Sequence, residues 1–182
     1  MVRGVRRPVE LVVDGTADPR LLGLAGEALA DLDAAVETVT WSVPDGLLDI
    51  GPEPLVRSHV SVALHRLAKA APGKQPVIIA KSLGTHAAGL AAERQLPAIW
   101  LTPLLYDAAI IEAITRNPAP TLLVGGTSDR SWIPDAAART SKTVVTIDDA
   151  DHGLRPPGPL RAYANALGTV GTAMEEFLSQ LA

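Results

Sequence analysis

The sequence predicts an α/β fold built on a mostly parallel sheet with helices on both faces. Three observations carry this expectation. Short runs rich in Val and Ile alternate along the chain with longer segments rich in Ala and Leu. The short runs are near-continuously apolar, as strands buried on both faces are, rather than alternating. The 182 residues are enough for one domain with a sizeable core, and no shift in composition marks a second.

The elements follow in order. Residues 9–13 form the first expected strand, followed by a loop at 14–20 and a helix over 21–32. A second strand at 36–41 leads through a Pro- and Gly-rich rim loop, 42–54, into a helix over 55–70. The run 77–80 enters the segment Lys81-Ser82-Leu83-Gly84 and a helix over 85–94. Strands at 98–101, 121–124 and 144–147 are followed by helices over 108–116, 133–140 and 159–181. Right-handed crossovers between parallel strands put ligands beyond the strands' carboxyl ends, so the loops after each strand carry the function.

Composition excludes several roles. A net charge of −4 with scattered signs and 3% aromatic residues provides neither a basic stripe nor a stacking platform for nucleic acid. The clustered Arg3, Arg6 and Arg7 read as a solvated tail. No apolar run reaches the roughly 18 residues a membrane helix needs. Glu10 interrupts the first apolar segment and no cleavage signal follows, so secretion is not indicated. With no cysteine there is no disulfide, thiolate metal site or cysteine nucleophile, which fits a cytoplasmic protein. His59 and His65 are six apart, not an i, i+4 pair, and no metal is expected. Gly125-Gly126 is not followed by a phosphate-binding pattern.

Three of the strand-end loops carry Ser82, Asp129 and His152, in that order. A serine hydroxyl is a weak nucleophile, and acyl chemistry needs a base for its proton, a carboxylate to orient that base, and donors for the oxyanion. Ser82 stands between a buried strand and a helix, where Gly84 permits a sharp turn; an ordinary helix-capping serine is the plain alternative. For the acid, Asp148, Asp149 and Asp151 compete by nearness to His152. Asp129 is preferred because a carboxylate from a neighbouring strand end reaches the far imidazole nitrogen, and the other three read as a solvated cluster or a cap. Lys81 reads as a structural or rim residue, and His86 as a helix residue about one turn beyond Ser82.

Ala80-Lys81-Ser82-Leu83-Gly84 resembles the G-x-S-x-G nucleophile elbow of the α/β-hydrolase fold, with alanine for the first glycine. Gly125-Gly126-Thr127-Ser128-Asp129, closely followed by Trp132, is similar to that family's acid turn. Asp151-His152-Gly153 is similar to its histidine loop, and the order Ser, Asp, His is the family's order. The resemblance implies a nucleophile at Ser82, a base at His152 and an orienting acid at Asp129. It also implies oxyanion donors at Leu83 and, after the first strand, at Thr16 or Gly15, with Asp14 where a histidine is common.

The resemblance covers nearly the whole chain but starts after the family's two opening strands, and it leaves no room for a cap. The implied architecture is a minimal three-layer sandwich with a six-stranded, mostly parallel sheet, a single domain over 1–182 without a lid. No cofactor is implied. Leu104, Trp132 and Leu154, on loops at the same edge, are expected to line an apolar pocket for a small acyl or alcohol group. The implied activity is hydrolysis of a carboxylic ester of a small molecule, with a thioester, an amide or acyl transfer open, and a binding module of the same fold as the rival from another class.

Overall fold

The structure is a computed structural model that describes residues 9–14, 35–42 and 45–181, with the backbone alone for 9–14. Its strands are β1 (Val9–Asp14), β2 (Val36–Thr40), β3 (Pro76–Lys81), β4 (Ala98–Leu101), β5 (Thr121–Gly126) and β6 (Thr143–Ile147). They form one sheet in the order β2-β1-β3-β4-β5-β6, and each pairing is parallel. From β1 the chain steps one way to β2 and the other way to β3. The switch point therefore lies between β1 and β3, where sheets of this kind leave a crevice at their carboxyl ends.

The helices are α1 (Leu47–Ile50), α2 (Glu53–Ala70), α3 (Ala88–Arg94), α4 (Ala108–Arg116), α5 (Pro134–Arg139) and α6 (Leu160–Ser179), with a 3₁₀ segment at Ser82–Ala87. Local chemistry sets their starts. Pro54 and Pro134 occupy first-turn positions of α2 and α5, where a missing N–H costs no helical bond. Asp107 caps α4, its carboxylate accepting from the Ala109 N–H at 2.9 Å.

The near-continuous apolarity of the central strands has its cause in the two-sided core. On β3, Ile78 and Ala80 face a cluster built from α2, α3, α4 and α5, while Val77 and Ile79 face one built largely from α6. The α6 residues Ala166, Val170, Met174, Phe177 and Leu178 recur at helical spacing and make its buried stripe. The outermost strands β2 and β6 are partly exposed instead.

Two elements differ from expectation. The helix expected from residue 85 begins as a 3₁₀ turn at Ser82 itself, and α1, four residues long, interrupts the rim loop that was expected to be irregular. A single turn is too short for hydrophobic periodicity to reveal. The helix expected over 21–32 lies outside the described residues. Among the described residues no helix is long and apolar enough to cross a membrane.

Met174 is wholly buried in the α6 cluster. Met174→Ala is expected to lower the unfolding free energy by about 2–5 kcal/mol, read from the urea midpoint, because the cavity left in a close-packed layer only partly collapses.

Candidate active site

Ser82 follows β3 directly. Lys81 is extended, with φ −119° and ψ 145°, and Ser82 then turns into the left-handed region at φ 50°. A non-glycine residue there carries strain of about 1–3 kcal/mol, which persists only where the surroundings hold it. Two neighbours hold it here. Ala80, in the strand just before the turn, is fully buried, and the hydroxyl of Thr85, also a fully buried residue, donates to the Ser82 carbonyl at 2.5 Å. The turn thus takes its left-handed residue at the serine rather than at a glycine, and Gly84 is buried within the 3₁₀ segment that follows.

Asp129 comes from the turn after β5, two strands from Ser82 in the sheet. Its side chain is 2% exposed, and Oδ1 accepts from the Ser131 N–H at 2.8 Å. The two glycines before it are explained by contact. A Cβ on Gly125 would lie 2.0 Å from Cε3 of Trp132, and one on Gly126 would lie 2.2 Å from the Ala150 carbonyl oxygen. Gly126 lets the acid turn and the histidine loop touch, and Gly125 makes room for the Trp132 ring.

His152 lies on the loop after β6. Its Nδ1 is 2.8 Å from Asp129 Oδ2, and its Nε2 is 2.8 Å from Ser82 Oγ. With Asp129 ionised, Nδ1 donates to it, which leaves the Nε2 lone pair to accept the Ser82 O–H. The imidazole is 41% exposed, so a substrate can reach it from solvent. Three residues 70 and 23 positions apart in sequence thus form one hydrogen-bonded chain at the carboxyl edge of the sheet. Such a chain can take a proton from the serine as its oxygen attacks a carbonyl and return it to a leaving group.

The competing acids have other partners. Asp151 accepts at Oδ1 from the N–H groups of Gly153 at 2.8 Å and Arg155 at 3.1 Å, a cap that folds the turn carrying His152. Asp149 is exposed and left-handed at φ 56°, its N–H donating to Thr127 Oγ1 at 2.7 Å. Asp148 is exposed.

The N–H of Leu83 belongs to the first turn of the 3₁₀ segment, where backbone donors lack intrahelical acceptors. Gly15 and Thr16 lie outside the described residues. The strand β1, which precedes them in sequence, pairs with β3, with Val13 in register with Ala80.

The expected pocket residues need correction. Leu104 is 7%, Trp132 4% and Leu154 0% exposed, and all three sit within the two cores. A wall of an open pocket keeps a face toward solvent, whereas these support the loops from beneath, Trp132 by lying on Gly125. Of the two roles open to Lys81, structural or rim, its burial at 4% exposed fits the first.

Thr102 escaped sequence reasoning. Register places it beside Ser82, since Lys81 pairs with Leu101; it is left-handed at φ 44° and fully buried, and its hydroxyl has no hydrogen-bond partner among the described residues. No sequence pattern marks such a residue. Burial holds His86 below the ordinary histidine range, against the opposing pull of Asp107 and Glu53. It lines a cleft of about 360 Å³ between α2, α3 and α4, together with Arg57 and Glu93. Among the described residues no group of three His, Asp or Glu side chains is placed to hold a metal ion.

Gly126→Ala is expected to displace the Ala150 carbonyl, which also accepts the Ser128 N–H at 3.0 Å. The added methyl meets backbone that cannot yield cheaply, so a fall in thermal midpoint together with loss of the His152–Asp129 contact is the expected outcome, read by calorimetry and imidazole NMR.

No family model matches the sequence, and no curated protein does. Solved structures do match in shape. Est1E from Butyrivibrio proteoclasticus superposes with a TM-score of 0.69 at 16% identity, over 97% of this chain and 89% of that one. An α/β serine hydrolase without a lid from Xanthomonas campestris gives 0.69 at 15% identity, over 97% and 84%. An α/β serine hydrolase homologue from Coxiella burnetii gives 0.66 at 15% identity, over 99% and 88%. The chain, with its parallel sheet, its strained serine turn and these structural likenesses, has the α/β-hydrolase fold.

Proposed function

We propose that the protein is a serine hydrolase that cleaves a small carboxylic ester through an acyl-enzyme on Ser82. The observation that carries this reading is the pair of 2.8 Å contacts linking Ser82 Oγ to His152 Nε2 and His152 Nδ1 to Asp129 Oδ2. His152 takes the Ser82 proton as Oγ attacks the ester carbonyl, and gives it to the departing alkoxide as the acyl-enzyme forms. It then takes a proton from water, whose oxygen attacks the acyl carbon, and returns that proton to Ser82 as the acid leaves. Asp129 holds the tautomer and stabilises the imidazolium.

The N–H of Leu83 and one from Thr16 or Gly15 donate to the tetrahedral oxyanion. Neither a metal nor a cofactor enters this chemistry. The substrate is a small molecule rather than a nucleic acid or a membrane lipid, and the chain acts as one lidless domain in the cytoplasm. Two of the structural neighbours are esterases by name, the esterase domain of a Rhodothermus marinus protein and the Pyrococcus furiosus esterase Pf2001, which supports an ester over an amide. The same residues would serve a thioesterase or an acyltransferase, a choice that belongs to the pocket and the acceptor.

Labelling with a fluorophosphonate probe is expected to place a single adduct on Ser82 of the folded protein; an unlabelled Ser82 would leave only the binding-module reading. In a panel of aryl esters of increasing chain length, Ser82→Ala is expected to lower kcat by about 10³-fold or more, and Asp129→Asn by a comparable factor because it favours the wrong tautomer. Equal rates in wild type and Ser82→Ala would place the activity elsewhere.

A further inference from the structure

His152 must keep two hydrogen bonds at once, each 2.8 Å long, to partners on two other segments. Ser82 is anchored by β3 and Asp129 by the turn after β5, but His152 stands on a long loop, and its distance from Asp129 depends on how that loop is joined to the acid turn. Besides the His152–Asp129 bond itself, three hydrogen bonds join them. The Thr127 N–H donates to the Ile147 carbonyl at 3.1 Å, the Ser128 N–H to the Ala150 carbonyl at 3.0 Å, and the Asp149 N–H to the Thr127 hydroxyl oxygen at 2.7 Å.

The first two are backbone bonds that other residues at 127 and 128 could also make. The third exists only with a hydroxyl at position 127. It is also the bond made to a strained residue, since Asp149 is left-handed at φ 56° three positions before His152. An aspartate tolerates that region better than most residues, yet it still needs the surroundings to hold it there. Thr127 is itself exposed, so its side chain contributes little to the core. Its hydroxyl bond is what a substitution removes.

We propose that Thr127 is a positioning residue whose hydroxyl, by holding Asp149, sets the histidine loop so that His152 reaches Asp129 and Ser82 together. The proposal rests on the reading of Ser82, His152 and Asp129 as a hydrolytic site. The hydrogen bonds of Thr127 go to Ile147 and Asp149, not to the reacting atoms or to His152, so it acts through the loop.

The test compares wild type with Thr127→Val, Thr127→Ala, Thr127→Ser and Ser82→Ala. It reads kcat and KM on an aryl ester, the proton NMR signal of His152 Nδ1–H, and the urea midpoint. Loss of one hydrogen bond of ordinary strength corresponds to a fall in kcat of about 2-fold to 10-fold. That fall is expected in Thr127→Val and in Thr127→Ala with KM unchanged, together with a weakened Nδ1–H signal from faster exchange with water. Thr127→Ser is expected to restore both. A purely structural role would shift the urea midpoint and leave the signal and the ratio of kcat to KM in place.

Wild-type kcat and an unchanged Nδ1–H signal in the two hydroxyl-free variants would overturn the proposal, as would a Thr127→Ser variant as impaired as Thr127→Val. Equal ester hydrolysis by wild type and Ser82→Ala would overturn the hydrolase reading instead. The NMR comparison would then still decide whether Thr127 sets the histidine.

Discussion

At Ser82 the backbone turns left-handed at φ 50° immediately after a strand buried on both faces, and the geometry of the site descends from that turn. An L-residue resists this conformation by about 1–2 kcal/mol. It is held between a strand whose Ala80 is fully buried and the Thr85 hydroxyl, which donates to its carbonyl from the next turn. In a relaxed strand-to-helix junction the serine would have no cause to depart from the usual backbone, and its hydroxyl would be free to cap the helix. Here the hydroxyl faces the imidazole of His152.

The parallel sheet supplies the rest of the convergence. Because each crossover returns the chain to the same end, the carboxyl termini of β3, β5 and β6 lie along one edge, and residues 82, 129 and 152 are delivered there by separate strands. Convergence at an edge does not by itself produce distances of 2.8 Å. The final approach comes from close contact between the acid turn and the histidine loop, where Gly126 admits the Ala150 carbonyl and backbone bonds from Thr127 and Ser128 cross the gap. Asp151 completes the loop by capping it from within, which explains why an acid next to His152 in sequence has its carboxylate on backbone amides instead.

How much of this was legible in the sequence varies by residue. The strands of the centre were, because Val77, Ile78 and Ile79 must be apolar to face two cores at once, and that leaves a continuous run. Ser82, Asp129 and His152 were legible as a pattern of loops after strands, and the structure brings them into one hydrogen-bonded chain. Leu104, Trp132 and Leu154 were misplaced, since an apolar residue on a functional loop looks the same whether it lines a pocket or supports the loop from the core. Lys81 was read as structural or rim, and burial selects the structural role, a choice the sequence leaves open because a charged residue at a strand end is ordinarily solvated. Thr85, Thr102 and Thr127 left no sequence signal, because a threonine hydroxyl is defined by what lies near it in space.

The sequence by itself determined the alternation of buried strands and helices and the order of the residues at their ends, because hydrophobic periodicity and turn chemistry are local properties of a chain. Only the tertiary structure decided which carboxylate reaches His152, which apolar side chains are core, and which hydroxyls hold the loops. Those depend on contacts between segments such as 127 and 149, or 82 and 152, whose meeting is set by the packing of the whole sheet and not by any stretch of residues alone.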